Sequence, residues 1–181
     1  MNPYQGPSAR FRWARVHTDR ASRSWELVAD SHHDNPRPSV QRALRFEVIY
    51  PHSPAKVWRV LTTREHLARW LMENDFAPEV GRTFQFRAQP VGGWDGIVHG
   101  QVLELEPERR LVLAWKSNVI DTKVTFLLEP VAGGTRLTLL HTGFEGFKPF
   151  MTSFILGMGW KGHLNKAIPA LITTLEKEGR L

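Results

Sequence analysis

The last third of the chain carries the pattern that most constrains the fold. From residue 150 onwards, large apolar side chains recur mostly three or four residues apart, at Phe150, Met151, Phe154, Ile155, Met158, Ile168, Leu171, Ile172 and Leu175. This period places them on one face of a long helix. Burial of each large side chain is worth roughly 1.5–3 kcal/mol. We therefore expect this helix to organise the core.

Small residues and one proline interrupt this helix pattern. They are Gly157, Gly159, Gly162 and Pro169. Glycine lowers helix propensity, and proline lacks the N–H that an interior helical position donates. We expect a bend near Asn165 or a helix in two parts. The glycines beside Phe154 and Met158 either leave space for a ligand or allow close packing against a strand.

The middle of the chain predicts one strand, two short helices and then five strands. Apolar residues alternate from Leu44 to the end of the first strand at Tyr50. Ser53 and Pro54 then begin a short helix, because serine favours the N-cap and proline the first helical position. The second helix covers 66–71. The later strands show period-two alternation and are separated by turns with Gly, Pro or Ser-Asn. They are Thr83–Ala88, Asp95–Leu105, Leu111–Lys116, Thr122–Glu129 and Thr135–Thr142.

Short connections favour antiparallel neighbours in such a series of strands. A sheet with one apolar face needs a cover, and the C-terminal helix is the element long enough to supply it. The expected fold is therefore α+β, with a curved six-stranded antiparallel sheet wrapped around a long C-terminal helix and two short helices after the first strand.

Composition limits the function classes. The chain has 181 residues, of which 41% are hydrophobic, and no cysteine. Thiolate catalysis, disulfides and cysteine-ligated zinc are therefore excluded. No segment has the length of a membrane span or the pattern of a signal peptide, so we expect a cytoplasmic protein.

Residues 1–43 are expected to form a basic N-terminal extension with a Pro-rich linker, ahead of a domain at 44–181. Five arginines lie between Arg10 and Arg23, and Phe11 and Trp13 alternate with the first of them. This is typical of a loosely docked tail, with an edge strand or a nucleic-acid-binding arm as alternatives. The net charge of +6 is spread evenly over both parts, which makes nucleic-acid binding the weaker hypothesis. His32, His33 and Asp34 lie in the linker and make a poor preformed metal site.

The order and spacing of several short segments resemble a known superfamily. The segments are Ser53-Pro54-Ala55-Lys56-Val57-Trp58, Gly92-Gly93, Gly100-Gln101-Val102-Leu103-Glu104, Pro107-Glu108-Arg109-Arg110-Leu111-Val112, Trp115, Val124-Thr125-Phe126-Leu127-Leu128-Glu129-Pro130, Gly133-Gly134-Thr135-Arg136-Leu137-Thr138, His141-Thr142-Gly143-Phe144 and Gly159-Trp160. Over residues 44–178 the chain resembles the START-like (SRPBCC) superfamily. Within this superfamily it is similar to the family of proteins that are like the C-terminal domain of the heat-shock protein 90 ATPase activator. The resemblance implies a helix-grip fold that encloses a cavity, and it implies no shared catalytic motif.

Polar residues are predicted on the apolar face of the sheet. If Leu111, Leu113 and Trp115 face the helix, period two places His141 there as well. On the long strand, Ile97, His99 and Gln101 are expected to share that face. Polar groups in such a place either bind a ligand or are satisfied by one another, the backbone or water. The candidate ligand-binding residues are Phe84, Phe86, Trp94, His99, Gln101, Trp115, Phe126, His141, Phe154 and Met158.

Three functions follow from these observations. The leading hypothesis is a module that binds a small hydrophobic or aromatic molecule between sheet and helix. The first alternative is an enzyme like the polyketide cyclases and dehydratases of the superfamily, in which His99 or His141 moves protons and Asp95 orients it. The second is a chaperone partner that activates a heat-shock ATPase, which the family resemblance alone implies.

No cofactor or metal site is predicted. The glycines of residues 157–162 match Gly-x-Gly-x-x-Gly, but the strand and βαβ unit that this dinucleotide motif requires are missing. No metal-hydrolase or triad-hydrolase motif occurs. The sequence leaves open the catalytic residues, the ligand and the oligomeric state.

Overall fold

The computed structural model describes residues 42–144 and 156–181. The expectations for residues 1–41 and for Phe150, Met151, Phe154 and Ile155 lie outside these ranges. The described strands are β1 (Arg42–Tyr50), β2 (Glu73–Asn74), β3 (Thr83–Arg87), β4 (Ile97–Glu106), β5 (Arg110–Lys116), β6 (Asp121–Val131) and β7 (Gly134–Phe144).

Two short helices follow β1, and a longer one ends the chain. Helix α1 (Pro54–Thr62) and helix α2 (Arg64–Trp70) lie between β1 and β2. Helix α3 is described as α-helical residues 156–162, a π-helical turn at His163–Ala167 and a final α-helical part, Ile168–Lys177.

The strands form one antiparallel sheet with the order β1-β7-β6-β5-β4-β3-β2. The chain crosses from β1 at one edge to β2 at the other and returns strand by strand to β7. The apolar face of the sheet and the buried side of α3 form one core. The predicted α+β helix-grip fold is confirmed, and the two-residue strand β2 extends the predicted six strands to seven.

Alternation along the central strands explains which face is buried. In β5, Leu111, Leu113 and Trp115 are buried on the same face, as predicted. In β7, Leu137, Leu139 and His141 show no exposed surface. The period-two pattern therefore determines the inner face in these strands.

Pro169 determines the irregular turn of α3. The Ile168 N–H donates to the His163 carbonyl, which is the five-residue step of a π-helix. By the same step the Leu164 carbonyl needs an N–H from Pro169, which has none. The predicted interruption near Asn165 is thus found as a π-helical turn that leaves one carbonyl without its helical partner.

Tyr50 supplies that partner. At the end of β1, its hydroxyl donates a hydrogen bond of 2.7 Å to the Leu164 carbonyl. Both residues are buried, and burial raises the pKa of Tyr50 far above its ordinary value, so that the hydroxyl stays protonated. This hydrogen bond therefore joins the first strand to the interrupted helix.

Tyr50→Phe should lower the free energy of unfolding by about 1–3 kcal/mol, because it leaves a buried carbonyl without a donor. Thr173→Val is the matched control, since it also removes a hydroxyl that donates to a carbonyl of α3, but at an exposed site. Urea denaturation of both variants measures the difference. Equal losses in the two variants would contradict the role given to Tyr50.

Candidate functional site

An aromatic cluster lies between the sheet and α3. The Trp115 ring on β5 lies 5.4 Å from the Phe86 ring, 5.6 Å from the Trp160 ring and 6.0 Å from the His141 ring, measured between centroids. Two further rings adjoin it, Phe126 at 6.1 Å from Trp160 and Phe144 at 4.6 Å from His141. Three of these five contacts are edge-to-face, an arrangement that aromatic pairs prefer, and two are tilted. We call these six residues the aromatic cluster.

A chain of hydrogen bonds runs through the aromatic cluster. The Trp160 indole N–H donates to His141 Nδ1 at 3.0 Å. Because an indole only donates, Nδ1 is unprotonated and the neutral ring carries its hydrogen on Nε2. Nε2 donates to the Thr122 hydroxyl at 2.8 Å, and that hydroxyl donates to the Trp115 carbonyl at 2.9 Å. Both nitrogens of His141 therefore have partners within the protein.

His141 stays neutral in this place. The residue has no exposed surface, and burial lowers its pKa to about 3. A general base needs a free lone pair and a pKa near the working pH. His141 has neither, so its observed contacts are those of a structural histidine.

A groove opens at the ends of the strands that carry this chain of hydrogen bonds. It has a volume of about 590 Å³ and is lined by Lys116, Ser117, Asn118, Val119, Ile120, Asp121 and Gly143. Lys116 follows Trp115 in β5, and Asp121 precedes Thr122 in β6. Lys116 and Asp121 are exposed, whereas Trp115 and Thr122 are buried, so the groove begins at the strand ends and none of the six cluster residues lines it. We call it the strand-end groove.

Asn118 joins two loops at the strand-end groove. Its side-chain amide donates to the Gly93 carbonyl at 2.9 Å. Gly92 and Gly93 both have positive φ and form the two-residue turn between Val91 and Trp94, a conformation that favours glycine. The hairpin before β4 and the turn after β5 are therefore held together.

A second groove lies beside β3 and β4. Its volume is about 360 Å³, and its lining consists of Asp75, Thr83, Phe84, Gln85, Arg87, His99 and Gly100. Asp75 accepts a hydrogen bond from the Gln85 backbone N–H, which with nearby Arg87 lowers the pKa of the carboxyl. Most of this lining is polar or charged, in contrast to the aromatic cluster.

The structure brings five of the ten predicted ligand-binding residues to the buried face of the sheet. They are Phe84, Phe86, Trp115, Phe126 and His141. Trp94 is half-buried against the core, and its indole donates to the Ile97 carbonyl at 3.1 Å. Phe154 lies outside the described residues. Met158 is 70% exposed and does not contribute to the core as its helical spacing predicted.

The predicted inward orientation of His99 and Gln101 is wrong. Both are exposed, whereas Val98, Gly100 and Val102 are buried. The reason is a β-bulge in β4, where the register with β5 shifts between Val102 and Glu104. One extra residue reverses the side-chain alternation, which constant period-two reasoning cannot anticipate.

Contacts on the outer face agree with this correction. His99 Nδ1 lies 3.4 Å from the Gln85 amide nitrogen, and Gln101 donates to the Gly81 carbonyl. On the inner face, a Cβ at Gly100 would overlap the Phe84 ring. This strand position therefore requires glycine, and the neighbouring polar residues face outwards.

Sequence reasoning missed two residues of the hydrogen-bond chain, Trp160 and Thr122. Trp160 and Leu164 continue the apolar stripe of α3 with a spacing of four residues towards Ile168, and this spacing could have identified Trp160. Thr122 gives no such signal, because threonine is common on either face of a strand. Its role follows from its distance to His141.

Within residues 42–144 and 156–181, no three His, Cys, Asp or Glu side chains are arranged to hold a metal ion. None of the helices in these ranges is long and apolar enough to cross a membrane.

A family model described as "Activator of Hsp90 ATPase homolog 1-like protein" matches residues 51–171. The chain belongs to this family. The match contains both short helices, the sheet from β2 to β7 and most of α3. No curated protein sequence matches the chain.

Solved structures share the family fold. Protein MLL2253 from Mesorhizobium loti is 29% identical over 74% of this chain and 98% of its own, with a TM-score of 0.66. Protein BH1534 from Bacillus halodurans is 26% identical over 72% of this chain and 96% of its own, with a TM-score of 0.62. The Aha1 dimer from Colwellia psychrerythraea is similar in fold, with 24% identity over 72% of this chain and 96% of its own and a TM-score of 0.61.

His141 should make the fold less stable in acid. Its pKa is about 3 in the folded chain and 6.5 in an ordinary environment, so the unfolded chain binds a proton over this interval that the folded chain does not. The free energy of unfolding should fall as the pH drops through this interval, by at most about 1.4 kcal/mol per pH unit. Below it, the loss from His141 should stop.

Denaturation of wild type and His141→Gln between about pH 7 and pH 4 measures this effect. The variant should depend less on pH. His163, whose pKa burial also lowers, contributes in the same direction to both proteins and so cancels in the comparison. Identical pH dependence would contradict the assignment of a buried, neutral His141.

Thr122→Val should lower the free energy of unfolding by about 1–3 kcal/mol, because His141 Nε2 and the Trp115 carbonyl both lose their partner. Thr122→Ser keeps the hydroxyl and should lose about 1 kcal/mol or less, the value of one buried methyl group. Thr125→Val, at a buried position on the outer face of the same strand, is the control. The prediction fails if Thr122→Val is no more destabilising than Thr122→Ser, as judged by urea denaturation.

Proposed function

We propose that the domain binds a small hydrophobic or aromatic molecule between the sheet and α3, with the strand-end groove as the way in. The observation that carries this proposal is the aromatic cluster between sheet and helix, with an open groove of about 590 Å³ at the residues that follow Trp115 in β5 and precede Thr122 in β6. Pockets for small molecules are lined mostly by apolar and aromatic side chains, which the cluster supplies.

Irregular structure around the aromatic cluster supports the same proposal. Helix α3 changes to a π-helical turn at His163–Ala167, directly after Trp160. Such turns are rare in helices and frequent at functional sites. Gly143, which lines the groove, has a φ of 96°, and a Cβ there would lie 3.3 Å from the Thr122 Cα. A larger residue at this position would be strained and would narrow the groove.

The contacts of the two histidines argue against the cyclase-like alternative with His99 or His141 as base. His141 has both nitrogens hydrogen-bonded and a pKa of about 3. His99 lies on the outer face of the sheet. A ligand in the aromatic cluster would meet neither as a proton acceptor, so we favour binding over catalysis.

The family description supports a second candidate, a partner protein of a heat-shock ATPase. Adding the purified chain to such a chaperone and measuring its ATPase rate tests this alternative. An unchanged rate would remove it.

We also propose that the domain covers 44–181 with residues 1–43 as an extension, and that a chain without cysteine acts in the cytoplasm.

The binding proposal is tested with N-phenyl-1-naphthylamine, an uncharged aromatic probe whose fluorescence rises on burial. Wild type should bind it, and Ser117→Trp in the strand-end groove should weaken binding at least about tenfold, because the larger ring fills the groove. Native mass spectrometry of the purified protein checks for a bound natural molecule in parallel.

Thr83→Trp is the matched control, because it introduces the same ring into the second groove. It should leave probe binding unchanged. No binding by wild type, or equal effects of the two tryptophan substitutions, would overturn the proposal.

A further inference from the structure

The two edges of the sheet differ in length. At one edge, β2 consists of only two residues, Glu73–Asn74. At the other edge, β1 runs over the nine residues Arg42–Tyr50, and on the side away from β7 none of the described strands pairs with it. A short edge strand offers few backbone groups to another chain, whereas a long one is a template for a further strand. The β1 edge is therefore where this sheet offers most to a further strand.

Most of β1 is a regular and well-fixed strand. One register shift lies at its beginning, between Arg42 and Leu44, and the pairing with β7 then continues without interruption to Tyr50. The strand contains neither proline nor glycine, and the Tyr50 hydroxyl bond to the Leu164 carbonyl fixes its end. Because β1 is already extended and held in place, a partner strand would have to order little of it.

The two faces of β1 carry different side chains. Leu44, Phe46 and Val48 pack with the core on the inner face. Arg45 and Glu47 are exposed on the outer face, where they form an ion pair of 3.1 Å. Such an exposed pair contributes little to the stability of a single chain. Opposite charges two residues apart on one face do, however, make the strand complementary to its own reversed copy.

The charges of β1 select one register for such a pairing. Two identical antiparallel strands are related by a two-fold axis, and the residue on the axis defines which residues lie opposite each other. With Phe46 on the axis, Arg45 of each copy lies opposite Glu47 of the other, and Leu44 lies opposite Val48. With Arg45 or Glu47 on the axis, like charges lie opposite each other, which is destabilising.

Glu47 also belongs to a wider row of charges on the outer face. Arg136 Nε of β7 lies 3.1 Å from Glu47 Oε1, and Arg136 Nη1 lies 3.2 Å from Glu129 Oε2 of β6. Addition of Arg45 from a second copy would extend this row with the sign that fits, because it would meet Glu47. Charges in a network contribute more than an isolated surface pair.

We propose that two copies of this chain associate through their β1 strands, with Phe46 on the two-fold axis, and so join their sheets into one antiparallel sheet. Backbone hydrogen bonds between the two β1 strands supply the attraction. The two contacts between Arg45 and Glu47 define the register. No β1 residue lines either groove, so this inference does not depend on the proposed ligand.

Sedimentation velocity at concentrations up to about 100 μM tests the inference, because an interface between two edge strands is small. Wild type should form a dimer whose share rises with concentration. Arg45→Glu and Glu47→Arg should each raise the Kd of the dimer at least about tenfold, since each places like charges opposite one another twice. Glu104→Arg is the matched control, because it reverses one charge of an exposed pair with Arg110 away from β1. It should leave the Kd unchanged.

A mixture of the two charge-reversal variants gives a sharper result. The copy with Arg45→Glu then has two acidic side chains at these positions, and the copy with Glu47→Arg has two basic ones. Both contacts across the axis become pairs of opposite charge, so the mixture should dimerise at concentrations where neither variant does so alone. A mixture that stays monomeric, or charge reversals that leave the Kd of wild type unchanged, would overturn the inference. A wild type that stays monomeric would also overturn it and would leave the edge to a strand of another protein.

Single cysteines test the register, because the chain has no cysteine of its own. Directly opposite residues of antiparallel strands have Cα atoms about 4.5–5.5 Å apart, which a disulfide can span. Phe46→Cys should therefore give a disulfide-linked dimer under mild oxidation. Val48→Cys, on the same face, is the control and should not, because Val48 lies opposite Leu44. No linked dimer with Phe46→Cys, or equal linking of the two variants, would overturn the inference.

Discussion

The hydrogen bond from Trp160 to His141 joins the helix to the sheet at the centre of the aromatic cluster. It places an aromatic donor of α3 on an imidazole of β7, and the imidazole in turn depends on the Thr122 hydroxyl of β6. In a buried environment each of these groups would destabilise the fold if it lacked its partner. The position of α3 on the sheet is therefore defined by directional contacts as well as by apolar packing.

A second directional contact lies further along the same helix. Pro169 removes one backbone donor, the turn before it becomes π-helical, and Tyr50 compensates at the Leu164 carbonyl. The helix is thus attached to β7 near its described beginning and to β1 near its middle. The irregular turn lies between Trp160 and the regular last part, so the two parts of α3 need not present their side chains with one continuous period.

These contacts leave the polar groups of the chain from Trp160 to Thr122 already paired. His141 and Thr122 are saturated and neutral, which fits a structural role. A ligand gains little specificity from a group that already has its partner, so recognition in the aromatic cluster would depend on ring contacts.

The sequence by itself determined the fold class and most of the buried aromatic residues. Period-two alternation was sufficient for β5 and for β7 as far as His141, before the register of β7 with β1 shifts, and it correctly placed Trp115 and His141. The spacing of four residues along α3 likewise contained the position of Trp160. These features are local, so they can be read from neighbouring residues alone.

Only the tertiary structure decided which polar groups meet. The bulge after Val102 reverses the side-chain alternation along β4, so that His99 and Gln101 face outwards. The sequence of β4 itself gives no signal of this extra residue. Thr122 and Trp160 lie far apart in the chain, and both bond His141 only after the sheet and helix have packed. Alternation depends on the period within one element, whereas hydrogen-bond partners depend on distances between elements. For this reason the partners at the site could be identified only from the tertiary structure.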